Sequence, residues 1–200
     1  MATDLGMTTL DIPLRGRRDY VHSTDLFAAL GRLAEAQLSS EAWLRKLVLR
    51  KAAFHQVEAH FTAKDSAFGT FELRNRDQTT AGWLVESDRS IERRIAFDEA
   101  PVRDAAIAQL GRVSLSTPIK GYTSFEQMIV LLKLLGAQLH AGAWLLTAID
   151  LSTRFHEHLP LEVVLQQTIL NRGADVQLCQ NRQSIGRTQI VLSRLTGDTQ

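Results

Sequence analysis

The sequence predicts an α+β protein made of two tandem copies of one unit, each a helix laid against an antiparallel sheet. Three observations predict it. Residues 23–55 and 124–156 match without a gap at an offset of 101, and eleven of the 33 positions are identical, among them Trp43/Trp144 and His55/His156. Two copies at half the chain length mark a duplication, not a solenoid. Within each copy, apolar spacings of three and four give way to alternation, the change from helix to strand. Polar turn clusters then punctuate the rest of each copy.

Taken in order, residues 1–9 read as a loose tail, Leu10–Leu14 as a short strand and Arg15-Gly16-Arg17-Arg18 as a basic turn. Ser23-Thr24-Asp25 supplies side-chain oxygens for free backbone N–H groups, a helix start. Leu26, Phe27, Leu30, Leu33, Ala34 and Leu38 then predict an amphipathic helix over 24–38. Its second copy, Ser124–Leu139, is apolar nearly all round and is expected to be buried on most sides. Ser39-Ser40 and Ala141-Gly142 end the two helices. Extended segments follow over Trp43–Phe61 and Ala143–Phe155. The second sets Leu145, Ile149, Leu151 and Phe155 on one face and Asp150, Ser152, Arg154 and His156 on the other.

The first copy continues with strands expected at Gly69–Asn75, Thr79–Ser87 and Ile91–Asp98. The second offers Leu161–Ile169, Ala174–Gln180 and Ile185–Arg194, divided at Asn171-Arg172-Gly173 and Asn181-Arg182-Gln183. Ser90-Ile91 matches Ser184-Ile185 at an offset of 94. Pro101–Gln109 reads as a linker or short helix, and Gly111–Thr117 as the first strand of the second copy. The repeats are placed at 1–102 and 103–200, sharing one composite core. A single unit leaves a helix face and a sheet edge open, which a tandem copy covers as a symmetric dimer would.

Hydrophobic residues make up 44% and charged residues 22%, ordinary for a globular domain. A net charge of +1 gives no argument for nucleic acid or an anionic membrane. One cysteine, Cys179, forms no internal disulfide and is expected to be a small buried hydrophobe. The N-terminus lacks the pattern of a signal peptide, and no apolar run is long enough to insert in a bilayer, so a cytoplasmic protein is expected. A glycine-rich phosphate loop, a nucleophile elbow and a Cys-x-x-Cys pair are all absent.

This order of elements resembles the hot-dog fold, a sheet wrapped around a central helix, and the duplication resembles a double hot-dog. Ala148–His156 with Glu157–Pro160 is similar to the segment after the helix in acyl-CoA thioesterase II and in 3-hydroxyacyl-carrier-protein dehydratases. Gln183–Leu192 resembles their closing hairpin. The resemblance implies an acyl group held as a thioester to coenzyme A or a carrier protein, and no cofactor. It implies first a hydrolase, second a 3-hydroxyacyl dehydratase, and third a non-catalytic acyl-binding protein.

Asp150 is the first candidate for the chemistry, a carboxylate on an otherwise apolar strand where the first copy has Leu49. In the resembled thioesterases such an Asp orients water, here with Thr168, Gln166 or Gln189 as possible helpers. Its plain role would be solvation, or pairing with Arg154. The helix starts, Tyr20-Val21-His22-Ser23 and Gly121-Tyr122-Thr123-Ser124, offer N–H donors as an oxyanion hole. Asp25 and Glu126 there are candidate bases or nucleophiles, though an acid in a first turn also simply complements the helix dipole. His22 is the candidate proton carrier of a dehydratase, although the family's Gly-His-Phe loop is absent. His55 and His156, kept in both copies, read as structural. His156 and His158 share a face if the strand continues, but no third ligand is at hand, so no metal is expected. Tyr122, Thr123, Arg15, Arg17, Arg18 and Lys120 flank the helix entrances and are candidates for binding substrate or phosphate. Trp43 and Trp144 are expected to pack sheet against helix. A homodimer is allowed, through the outer sheet faces.

Overall fold

The computed structural model describes residues 6–170 and 172–192. The first five residues of the predicted tail, Asn171 of the predicted turn and the end of the strand predicted over 185–194 lie outside the described residues. The chain divides into two compact units, Met1–Phe97 and Asp98–Gln200.

The first unit runs β1 (Met7–Leu10), β2 (Leu14–Arg15), α1 (Ser23–Gln37), β3 (Trp43–Leu49), β4 (Val57–His60), β5 (Gly69–Asn75), β6 (Gln78–Glu86) and β7 (Arg94–Ile95). Its sheet is ordered β1-β4-β6-β5-β3 with antiparallel neighbours, while β2 and β7 form a separate parallel ribbon. Of the helix stripe predicted from spacing, Leu26, Leu30, Leu33 and Ala34 are buried, while Phe27 and Leu38 are half-buried. The sheet supplies Leu44, Leu47, Phe71, Leu73 and Leu84 to the same core. Each buried leucine contributes about 1.5–3 kcal/mol relative to exposure.

Several expectations are corrected here. Residues 7–9 belong to β1, which pairs with β4 from Met7↔His60 to Leu10↔Val57. The strand expected at 10–14 is split, Leu10 ending β1 and Leu14 opening β2, with Pro13 between them lacking an N–H for a ladder. The long segment expected over 43–61 is two strands, since β3 pairs with β5 while β4 pairs on the far side of β6. The strand expected at 91–98 is only the two-residue β7. β5 already lies between β6 and β3 and fills both edges.

The second unit runs α2 (Ala100–Ala105), β8 (Ile107–Gln109), β9 (Arg112–Leu115), α3 (Ser124–Leu139), β10 (Trp144–Leu151), β11 (Leu161–Ile169), β12 (Gly173–Gln180) and β13 (Gln183–Leu192). Its sheet is ordered β8-β9-β11-β12-β13-β10. Here the strand beside β10 is the last one, β13, so one place in the sheet is filled by different stretches of the two copies. The offset of 94 therefore does not mark equivalent strands at Ile91 and Ile185. Helix α3 is buried over Phe125, Met128–Leu132 and Leu135, as its composition predicts. Residues 98–105 go with this unit, where Glu99 at the start of α2 pairs with Lys133 of α3.

Trp144 packs on α3 as predicted, its ring over Gly136 and its Nε1–H donating to the His140 carbonyl at 3.1 Å. A register shift between Leu146 and Ala148 changes the faces of β10. Leu145 consequently does not share a face with Ile149 and Leu151; the buried set is Trp144, Leu146, Ile149 and Leu151. Gly186, at φ +155°, lets β13 approach β10 there, for a Cβ would lie 2.3 Å from the Asp150 carbonyl oxygen. Residues 152–160 form turns rather than strand, with His158 at φ 69°, so His156 and His158 do not alternate on a strand face.

Candidate functional site

The start of α1 gathers the most unusual chemistry. Arg15 Nε donates to both carboxylate oxygens of Asp25 at 2.8 Å. Both residues are buried, at 7% and 6% exposure. The ribbon delivers Arg15: the Leu14 and Gly16 N–H groups donate to the Arg93 and Ile95 carbonyls at 2.9 Å each. Phe97, just beyond β7, lies with its ring centre 4.6 Å from the Arg15 guanidinium carbon. His22 caps α1 and is 5% exposed. Its Nδ1 lies 2.7 Å from Thr24 Oγ1 and 3.5 Å from the Thr24 backbone nitrogen. The Asp25 N–H donates to the His22 carbonyl at 3.0 Å, tying the ion pair to the turn that carries the imidazole. A buried pair of this kind is costly to half-remove, about 3–5 kcal/mol, because the survivor is a buried charge.

The start of α3 is closed by the chain itself. Thr123 and Glu126 form a reciprocal capping box, with Glu126 Oε2 accepting the Thr123 N–H at 2.7 Å and its Oγ1–H at 3.0 Å. Ser124, fully buried, gives both its N–H and its Oγ–H to Glu157 Oε2, at 2.9 and 3.0 Å. Gln127 accepts the Ile119 N–H and donates to the Tyr122 carbonyl. Tyr122 donates its hydroxyl to the Asp98 carbonyl at 2.8 Å. The donors read as an oxyanion hole at α3 thus already have acceptors, and Glu126 has the capping role.

Asp150 sits on the other row of β10. The ladders align Asp150, Arg187, Gln177 and Val164 across β10, β13, β12 and β11. The next row, Leu151, Gly186, Leu178 and Val163, carries the buried leucines and valine. Arg187 stands opposite Asp150 in the ladder. Gln166, Thr168 and Gln189 are exposed. Arg17 and Lys120 are exposed as expected of phosphate contacts, whereas Arg15 is inside. Burial pushes the Cys179 thiol up, Glu162 adds to this and Arg112 opposes it, which suits an inert packed side chain. Among the described residues no group of three His, Cys, Asp or Glu side chains is placed to hold a metal ion.

Sequence reasoning missed Glu157, Phe97 and a matched pair, Glu86 and Gln180. Glu86 Oε1 accepts the His55 N–H at 2.9 Å. Gln180 accepts the His156 N–H at 2.9 Å and donates to its carbonyl at 2.8 Å. Each closes the turn after the repeated Phe-His pair. Their separation is again 94, the signal that would have found them.

No protein-family model matches the chain, and no curated protein matches it. Among solved structures it is similar to the dehydratase domain of PpsC from Mycobacterium tuberculosis in complex with C12:1-CoA. The TM-score is 0.53 at 10% identity, over 94% of this chain and 92% of that one. It is also similar to the pyran synthase domain from module nine of the sorangicin pathway, with a TM-score of 0.52 at 11% identity over 96% of each chain. The likeness shows a hot-dog fold.

Proposed function

We propose that this protein is a double hot-dog enzyme of acyl thioesters in which His22 moves protons, most simply as a 3-hydroxyacyl dehydratase. The observation that carries the reading is the buried His22 imidazole at the start of α1, held through Nδ1 by Thr24 beside an Asp25 already paired with Arg15. In the tautomer whose Nδ1–H donates to Thr24 Oγ1 at 2.7 Å, rather than accepting the more distant Thr24 N–H, Nε2 carries the lone pair and is the nitrogen assigned to the substrate. A helix N-terminus disfavours a cationic imidazole, so the ring is kept as a base. Nε2 takes a proton from C2 of a 3-hydroxyacyl thioester, the C2–C3 double bond forms as the C3–O bond breaks, and the hydroxyl leaves as water with that proton returned to it. In place of the missing Gly-His-Phe loop, the helix cap and Thr24 orient the ring. The two solved structures support the class, one being a dehydratase domain bound to C12:1-CoA and the other a pyran synthase domain. The matched helix starts, and the matched Glu86 and Gln180, support the duplicated form with repeats near 1–102 and 103–200.

Hydrolysis from Asp150 is the competing reading, and one panel separates the two. Wild type, His22→Gln and Asp150→Asn are given saturated and 3-hydroxylated acyl-CoAs, with enoyl thioester and free thiol measured separately. The expected result is enoyl formation that falls roughly 10²–10⁴-fold in His22→Gln and persists in Asp150→Asn. Thiol release that is lost only in Asp150→Asn would replace the dehydratase with a hydrolase. Binding without turnover on any substrate would leave an acyl-binding protein.

A further inference from the structure

We propose that Arg15 is a positioning residue for His22, setting the charge beside the imidazole by neutralising Asp25. The proposal rests on the acid–base role given to His22 above. In a capping box a Glu or Gln in the third helical position reaches back to the cap residue. In α3, Glu126 does so, meeting both the N–H and the hydroxyl of Thr123. Asp25 stands in the same position after His22, and a carboxylate there would favour the charged imidazolium. Arg15 holds that carboxylate through Nε at 2.8 Å to each oxygen, setting a positive charge against it. The device belongs to the first unit alone. It depends on the β2–β7 ribbon, which the segment after β6 forms outside the main sheet.

Among the other ionisable groups around the turn, Arg17 and Asp19 are exposed, and Arg18 and Tyr20 are half-buried. Arg50, Lys51 and His55 are exposed on the segment whose Ala53 carbonyl accepts the Val21 N–H at 2.8 Å. Arg93 and Arg94 are exposed on the β7 side. Exposed charges are screened over about 10 Å at ordinary salt, whereas the buried Arg15–Asp25 pair is screened much less.

The test follows the His22 ring resonances by NMR across pH in the full-length protein without substrate. The variants are Arg15→Met, Asp25→Asn and the two combined. Arg15→Met should raise the His22 titration midpoint by about 1, Asp25→Asn should lower it, and the double variant should return near wild type. The acid limb of the pH–rate profile should move with the midpoint. Midpoints that stay put, or move the same way in both single variants, overturn the proposal. Should Arg15→Met fail to fold, the fall in Asp25→Asn and its reversal in the double variant decide alike. Because the titration needs no turnover, an opposed pair of shifts together with full activity in His22→Gln would sink the dehydratase while leaving the positioning intact.

Discussion

Glu86 shows how a single side chain can serve as a bracket. Partial burial alone would push its carboxyl up. The Phe54 N–H, the His55 ring and the His55 N–H outweigh this and hold it below the ordinary Glu value of 4.5. A lowered value means that the stabilisation is present above that ordinary value and is lost as pH falls through the folded one. Glu86→Gln should therefore cost about 1 kcal/mol near neutral pH, the size of one hydrogen bond to a charged group trimmed by partial exposure. In urea unfolding the gap to wild type should close toward pH 3, and a gap independent of pH would show that the charge is irrelevant. At this scale the sequence was informative about type but not about company. His22 and Asp25 were legible because helix starts have a signature. Arg15 read as a surface cation because its cover, Phe97, comes 82 residues later.

Helices were legible as elements because each carries its own period. The stripe of α1 and the all-round apolarity of α3 both survive in the structure. Strand places were less so, since an extended run does not state its neighbour. Gly69–Asn75 and Ile91–Asp98 both read as strands, and only the pairing of β5 with β3 and β6 decides which one the sheet accepts. The helices also differ in what their glycines do. At Gly136 an added Cβ would lie 2.5 Å from the Trp144 ring, while at Gly31 of α1 nothing lies within 4 Å. Alanine favours a helix over glycine by about 1 kcal/mol at either position. Overpacking against a buried indole costs about 1–3 kcal/mol, so it wins at Gly136 and is absent at Gly31. Gly136→Ala should lower the urea midpoint and Gly31→Ala should raise it. Equal effects of one sign would mean that the Trp144 ring yields freely.

At the scale of the whole molecule, the two matched stretches of sequence do different work. Position 56 of the first copy corresponds to position 157 of the second at the offset of 101. Gln56 holds the Ile12 backbone, accepting its N–H at 3.2 Å and donating to its carbonyl at 3.3 Å. Glu157 instead closes the start of α3 on Ser124. An amide can both accept and donate, as a strand backbone requires, whereas a carboxylate only accepts, as a helix start requires. The copy that keeps a carboxylate over its helix start has no room there for a substrate oxygen. The other copy holds an imidazole and a neutralised acid. Catalysis and stabilisation should accordingly separate. Glu157→Ala leaves the buried Ser124 N–H without its acceptor, while the Oγ–H keeps the His156 carbonyl at 3.1 Å, and should cost about 1–3 kcal/mol of stability, with turnover within about twofold of wild type. The measurement is urea unfolding alongside enoyl formation from a 3-hydroxyacyl-CoA. A large loss of turnover in folded Glu157→Ala would place the chemistry at α3 and refute the division of labour between the copies.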